Sequence, residues 1–275
     1  MPRDDVMKWL RSQFMPHIWC PGCGHGIIMH AMLRALCALG KDPDEIVISS
    51  GIGCSSRLPG YVNTCTLHTA HGRSLAFATG VKLSNPALTV VDVMGDGDCS
   101  AIGGNHFIHA CRRNIGICAI VMNNNIYGMT GGQASPTTPE NAFASTAPYG
   151  AIDPPFDICQ LAIGAGATFV ARATIAQPQM CETLIKKGIE HDGFSVIEIM
   201  THCHTQFGRK NKRSRPLDNF NFFKDASVMK AKADAMTSEE LTGKIVIGEL
   251  HRIDGALEYT NRYAKVIERA KGATS

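Results

Sequence analysis

Apolar residues recur along this chain in two alternating rhythms. Residues 26–39 (GIIMHAMLRALCAL) carry them at helical spacing, and residues 45–50 (EIVISS) form a strand-like run ending at Gly51-Ile52-Gly53. The spacing predicts a helix over 71–83 that stops before Asn85-Pro86, because a residue preceding proline is pushed out of the helical region. Residues 88–94 (LTVVDVM) read as a strand buried on both faces, running directly into Gly95-Asp96-Gly97. A helix over 100–113 and a strand over 117–122 (ICAIVM) follow, the strand ending in Asn123-Asn124-Asn125. After a Pro/Thr/Gly-rich loop over 128–153 the rhythm resumes with a helix near 156–163, a strand over 168–173, a helix over 177–187 and a strand over 194–200. This alternation predicts an α/β fold, a doubly wound parallel sheet with helices on both faces. Ligands of such sheets bind beyond the carboxyl ends of the strands. Segments 51–54, 95–98 and 123–126 all follow predicted strand ends and so point to one shared pocket.

Composition narrows the class. With 44% hydrophobic and 19% charged residues over 275 positions, the chain can bury a sizeable core. A net charge of +3 is too slight to argue for nucleic acid. No apolar run reaches membrane-spanning length and the N-terminal segment lacks a signal-peptide core, so a cytoplasmic protein is expected. Eleven cysteines in a reducing compartment argue for metal ligation and buried thiols rather than disulfides. Cys37, Cys65, Cys99, Cys111, Cys118, Cys159 and Cys181 lie in apolar stretches and read as small core hydrophobes. The run RKNKRSR at 209–215 is either a solvated loop or a docking surface. Residues 1–215 are expected to form the binding domain. Residues 216–275, with Phe220, Phe222 and Phe223 and a strand candidate at 243–250, are expected to form an extension packing on it or on a partner.

Two constellations carry chemistry. Magnesium takes oxygen ligands and bridges carboxylate to phosphate. Asp96 offers a carboxylate after one strand, Asn124 an amide oxygen after the next, and Ile126 a backbone carbonyl. The flanking glycines let the backbone approach phosphates. His71 with Arg73 reads as a diphosphate contact or a helix cap, and His25 and His30 as pocket rim or core. The second constellation is Cys20 and Cys23 (C-x2-C), Cys54 (GIGCSS) and Cys203 (THCHTQ). Four thiolates suit a [4Fe–4S] cluster or a structural zinc equally on spacing, and the C-x2-C pair alone suits zinc or a redox dithiol. His202 and His204 flank Cys203 too closely to share its corner of a cluster.

The string GDGDCSAIGGNHFIHACRRNIGICAIVMNNNIYGMTGGQASPTT, with WCPGCGHG and CHTQFGR, resembles the β subunit of the 2-oxoacid:ferredoxin oxidoreductases over residues 19–211. That resemblance implies a thiamine diphosphate-binding fold of the diphosphate-binding type. Asp96, Asn124 and the Ile126 carbonyl would hold Mg²⁺, and Cys20, Cys23, Cys54 and Cys203 a [4Fe–4S] cluster. Ile52, Gly53, Cys54, Ser55, His71, Gly95, Gly97, Asp98, Gly128, Met129, Thr130, Gly131, Gly132 and Gln133 would surround the cofactor. It further implies oxidation of a 2-oxoacid to acyl-CoA and CO₂ with coenzyme A as co-substrate and ferredoxin as electron acceptor. An α subunit in an (αβ)₂ assembly would supply the activating glutamate. CHTQFGRKN and NNIYGMT look more like the 2-oxoglutarate branch than the pyruvate or branched-chain branches, although Gly131 stands where many relatives carry lysine. The rivals are a non-redox thiamine enzyme with structural zinc, which an iron and sulfide assay separates, and a binding module in which GDG and NNN are mere turns.

Overall fold

The β-branched runs become the centre of a single eight-stranded sheet in the computed structural model, which describes residues 3–272. In chain order the elements begin with α1 (Arg3–Met7), α2 (His25–Leu39), β1 (Ile46–Ser50), β2 (Cys65–His68), α3 (Ser74–Ser84) and β3 (Thr89–Gly95). Next come α4 (Asp96–Ser100), α5 (Gly104–Arg113), β4 (Ile117–Asn123) and a small hairpin of β5 (Ile126–Tyr127) and β6 (Gln133–Ala134). The second half holds α6 (Ile158–Gly164), β7 (Phe169–Thr174), α7 (Pro178–Glu190) and β8 (Ser195–Met200). The chain closes with α8 (Pro216–Ala226), β9 (Ser227–Met229), α9 (Lys230–Ala233), β10 (Ile245–Arg252) and α10 (Tyr259–Gly272).

The strand order is β2-β1-β3-β4-β8-β7-β10-β9. The first six strands are parallel, and β10 pairs antiparallel with β7 while β9 pairs parallel with β10. From β1 the chain goes to β2 on one side and then to β3 on the other, so the crevice between β1 and β3 is the topological switch point. Alternate strand residues feed two cores. Ile46, Ile48, Val91, Val93, Ile120 and Ile197 pack with α2 and α7, whereas Val90, Val121, Val170 and Val196 pack with α3, α5 and α6. On α2 the stripe Ile28, Met32 and Leu36 is fully buried. Each such side chain stabilises by about 1.5–3 kcal/mol, which outweighs the modest propensity penalty of the helix's glycine and isoleucines.

One charge lies inside the β3 run. Asp92 is fully buried and accepts hydrogen bonds from Ser49 Oγ (2.5 Å) and Ser74 Oγ (2.9 Å). Burial pushes its pKa up to about 7, more than the two serines pull it down. A carboxyl whose folded pKa exceeds its unfolded value of about 3.9 favours the folded state only while protonated. Stability is therefore expected to fall as pH rises from about 4 to about 7 and then level off in this contribution. Denaturation across that window should show the slope, and Asp92→Asn should remove it; an unchanged slope in the variant would assign it to another group.

Several elements differ from the expectations. Strand β2 has no apolar run to announce it: its residues are mostly exposed, Cys65 among them, and it exists by pairing with β1. Cys65 is thus no core residue, while Cys99, Cys111, Cys118, Cys159 and Cys181 are buried. The helix expected from 71 begins at Ser74, because His71 and Gly72 turn back toward Asp98. The helix expected over 100–113 is split, since residues 101–103 bend closely against Gly72. Residues 216–272 add β9 and β10 to the sheet edge, and Phe223 joins the α2/α7 core. No helix among the described residues is long and apolar enough to cross a membrane.

Candidate active site

The ends of β1, β3 and β4 converge on a cleft at the switch point. Its wall includes Ile52, Gly53, Cys54 and Ser55 after β1, residues 95–98 after β3, and Asn124 and Ile126 after β4. His71, Gly128, Met129 and Thr130 of the expected set also line it, as does His25, expected at the pocket rim or in the core; Met122 and Tyr127 join without having been expected. Gly131, Gly132 and Gln133 stand outside the wall, at the β5–β6 turn. Arg73 also stays out: its guanidinium donates to the carbonyls of His71 (3.2 Å) and Ile102 (3.3 Å).

Asp96 starts α4 immediately after Gly95 and is almost completely buried. Its Oδ2 accepts from Ser135 Oγ (2.5 Å) and Thr137 Oγ1 (2.7 Å), and its Oδ1 from the Asn124 N–H (3.4 Å). Burial pushes its pKa up against those hydrogen bonds, so a cation there would relieve a desolvated carboxylate. The three asparagines divide their work. Asn123 Nδ2 donates to Glu198 (2.8 Å), Asn124 faces the cleft, and Asn125 adopts φ +62°, a left-handed turn that asparagine tolerates. Asp96 and Asn124 are therefore adjacent hard oxygen donors, the type magnesium takes.

Asp98 ties the cleft together. Its Oδ1 accepts from His71 Nδ1 (2.5 Å), from the Gly72 N–H (2.6 Å) and from the Ile52 N–H (3.4 Å). Its Oδ2 is buried with no hydrogen-bond partner among the described residues. A Cβ on Gly51 would fall 2.1 Å from that oxygen, so only glycine allows the β1 end to approach. Gly97 is equally constrained, since a Cβ there would fall 2.2 Å from the Tyr127 ring.

A second cavity abuts the first and brings together Cys20, Cys23, Cys54 and Cys203, with Trp19, His202, His204 and Thr205 around them. The two cavities share His25, Cys54, Asn124, Gly128 and Met129. A Cβ on Gly128 would lie 3.2 Å from Cys203 Sγ, so the loop walling the cleft also touches the thiols. Burial raises the Cys23 pKa to about 12 and the Cys54 pKa to about 11, and the neighbouring thiols push in the same direction. That is opposite to a redox C-x-x-C pair, whose reactive thiol is depressed. His202 Nε2 lies 3.0 Å from the Gly22 carbonyl, and the Nδ1 atoms of His202 and His204 are buried without partners among the described residues.

Fold, switch-point cleft and buried carboxylate together are those of a doubly wound α/β domain with its ligand site beyond the strand ends. Residues 51–199 match the family "Thiamine pyrophosphate enzyme, C-terminal TPP binding domain". The chain is 51% identical to "2-oxoglutarate synthase subunit KorB" of Methanocaldococcus jannaschii, over 97% of this chain and 98% of that one. It is 44% identical to "2-oxoglutarate oxidoreductase subunit KorB" of Mycobacterium tuberculosis, over 67% of this chain and 50% of the other. Among solved structures it superposes with a TM-score of 0.87 and 35% identity on the 2-oxoglutarate:ferredoxin oxidoreductase from Magnetococcus marinus with 2-oxoglutarate, coenzyme A and succinyl-CoA bound, covering 98% of this chain and 92% of that one. The chain belongs to the thiamine pyrophosphate enzymes and, among them, to the β subunits of the 2-oxoacid:ferredoxin oxidoreductases.

Proposed function

We propose that this chain, joined to an α subunit, oxidises 2-oxoglutarate with coenzyme A to succinyl-CoA and CO₂ and passes the electrons through one [4Fe–4S] cluster to ferredoxin. The observation that carries this reading is the shared wall between the cleft and the four-cysteine cavity. Thiamine diphosphate, when bound, supplies the carbanion-stabilising centre, and an iron–sulfur cluster supplies a one-electron acceptor. Asp96, Asn124 and the Ile126 carbonyl would hold Mg²⁺ against the diphosphate. Asp98 orients His71 and the backbone at Ile52 toward the same cleft. The cofactor cleft on the other side of the shared wall favours a redox cubane over a structural zinc, because an electron acceptor there has a donor beside it. Cys20 is exposed while Cys54 faces the cleft, so a cluster held by the four cysteines would lie between the cleft wall and the protein surface.

The preference for 2-oxoglutarate follows the names of the more similar relatives. Gly131 brings no cation for a distal carboxylate, so that contact is assigned to the α subunit, as is the activating glutamate. Among the described residues the carboxylates in the cleft wall are those of Asp96 and Asp98, and both are engaged in hydrogen bonds.

The chain alone is expected to show no coenzyme A-dependent 2-oxoacid oxidation. The anaerobic αβ complex should develop the EPR signal of a reduced [4Fe–4S] cluster on addition of 2-oxoglutarate. A colourless, zinc-loaded protein, or reduction by pyruvate but not 2-oxoglutarate, would defeat the cluster or the substrate assignment respectively. Gly97→Ala should push Tyr127 out of the wall and lower thiamine diphosphate affinity by about tenfold, the scale of a 1–3 kcal/mol overpacking cost. Fluorescence titration checks this, and undiminished affinity would mean that Tyr127 moves freely.

A further inference from the structure

The first residue of α2 does something in the cysteine cavity that the ligand set does not account for. His25 is 1% exposed, lies two positions after Cys23, and faces both cavities. Its Nδ1 is 3.3 Å from Cys23 Sγ. The ring is packed against Trp19, with centroids 5.7 Å apart, and Trp19 Nε1 donates to the Cys54 carbonyl at 2.6 Å. Its orientation is thus held by the same scaffold that holds two of the four cysteines.

We propose that His25 is a potential-setting residue that donates Nδ1–H to Cys23 Sγ and thereby raises the reduction potential of the metal centre. This rests on the cluster reading above. A metal-bound thiolate has no proton and acts only as an acceptor, which selects the tautomer with hydrogen on Nδ1. A neutral imidazole carries one such hydrogen, and the sulfur lies 3.3 Å from Nδ1 to accept it. The reduced cluster carries one more negative charge than the oxidised one. A donor aimed at a ligand sulfur therefore stabilises the reduced form more, and hydrogen bonds to the sulfurs are among the protein's means of tuning these centres. The placement suits the function: His25 also lines the cofactor cleft, so the tuning acts on the side of the centre where electrons enter.

The test is an EPR-monitored redox titration of the αβ complex, with iron and acid-labile sulfide measured on each preparation. His25→Phe keeps a ring and loses the donor, and His25→Leu loses both. His25→Asn places an amide N–H near the position of Nδ1. Removing the donor should lower the reduction equilibrium constant about tenfold in the Phe and Leu variants, a shift of ~59 mV for one electron. The Asn variant should stay close to the parent. Should Leu prevent cluster assembly, Phe decides the question alone. Equal potentials in all variants with full iron would overturn the role of His25 and leave the cluster reading intact. An equal shift in Asn and Phe would assign the effect to packing and also overturn it. Absence of iron and sulfide from the parent protein would remove both.

Discussion

Replacing Asp96 with asparagine is expected to weaken Mg²⁺-dependent thiamine diphosphate binding by more than about 100-fold, because loss of an outer partner alone typically costs 10–100-fold in metal affinity. The side chain keeps its shape, so the hydroxyls of Ser135 and Thr137 can rotate to meet the new amide. The carboxylate charge is what disappears. Burial already penalises that charge in the absence of a cation, as the raised pKa indicates. The variant without cofactor should therefore melt at or above the parent's temperature while its affinity collapses. Calorimetric titration of the αβ complex with thiamine diphosphate at fixed Mg²⁺ reads the affinity, and a thermal scan reads the stability. Binding within tenfold of the parent would place the cation elsewhere.

Glu198→Ala is expected to destabilise the protein by about 3–5 kcal/mol, the cost of removing one partner from a buried ion pair. Glu198 is 1% exposed in the middle of β8. Its Oε2 accepts from Arg172 Nε on β7 (2.6 Å) and lies 3.2 Å from Cys159 Sγ on α6, and its Oε1 accepts from Asn123 at the end of β4 (2.8 Å). Arg172 reaches on to Asp157 at 2.6 Å. Asp157, Cys159 and Glu198 come close enough together to suggest a metal group, but the Arg172 guanidinium already bridges the two carboxylates. Truncating Glu198 leaves a buried cation with one partner fewer and the Asn123 amide without its acceptor. A melting-temperature drop on the order of 10 °C should follow. The double replacement Arg172→Met with Glu198→Met should recover much of it, because apolar groups of similar volume often replace buried pairs at little cost. A Glu198→Ala melt within about 2 °C of the parent would show that the pair contributes little. The double variant should still show weaker cofactor binding, since Asn123 braces the turn that carries Asn124.

Much of the architecture was legible because the central strands are short β-branched runs and the helices carry wide apolar stripes. The shared pocket was legible too, since Gly51, Gly95 and Asn123 each close such a run, whereas the switch point needed the strand order. Strand β2 was not, because an exposed edge strand buries little and so leaves no apolar run in the sequence. The β5–β6 hairpin was hidden for a related reason: two-residue strands leave no period to read. Among the chemical residues, Asp96, Asn124 and the cysteines stood out through glycine-flanked or clustered motifs. Tyr127 gave no such signal, since its place in the wall depends on the missing side chain of Gly97 thirty positions earlier. His71 and Arg73 looked alike in sequence, yet Asp98 draws the first to the cleft while backbone carbonyls hold the second away. Of the basic run at 209–215, Arg213 stacks on Phe222 at 4.0 Å and Arg215 pairs with Asp218, while Lys210 and Lys212 are simply exposed.

Sequence was sufficient for the strand–helix rhythm, the loops that carry ligands and the types of donor atom each offers, since these depend on neighbours a few positions apart. Only the tertiary structure decided that Cys20, Cys23, Cys54 and Cys203 line one cavity and that this cavity shares a wall with the thiamine cleft. It also told the asparagines of Asn123-Asn124-Asn125 apart, by setting Glu198 behind the first and the cleft before the second. The physical reason is the same in each case. Parallel strands far apart in the chain are brought side by side by the sheet, and contacts between their ends have no local periodicity to record them.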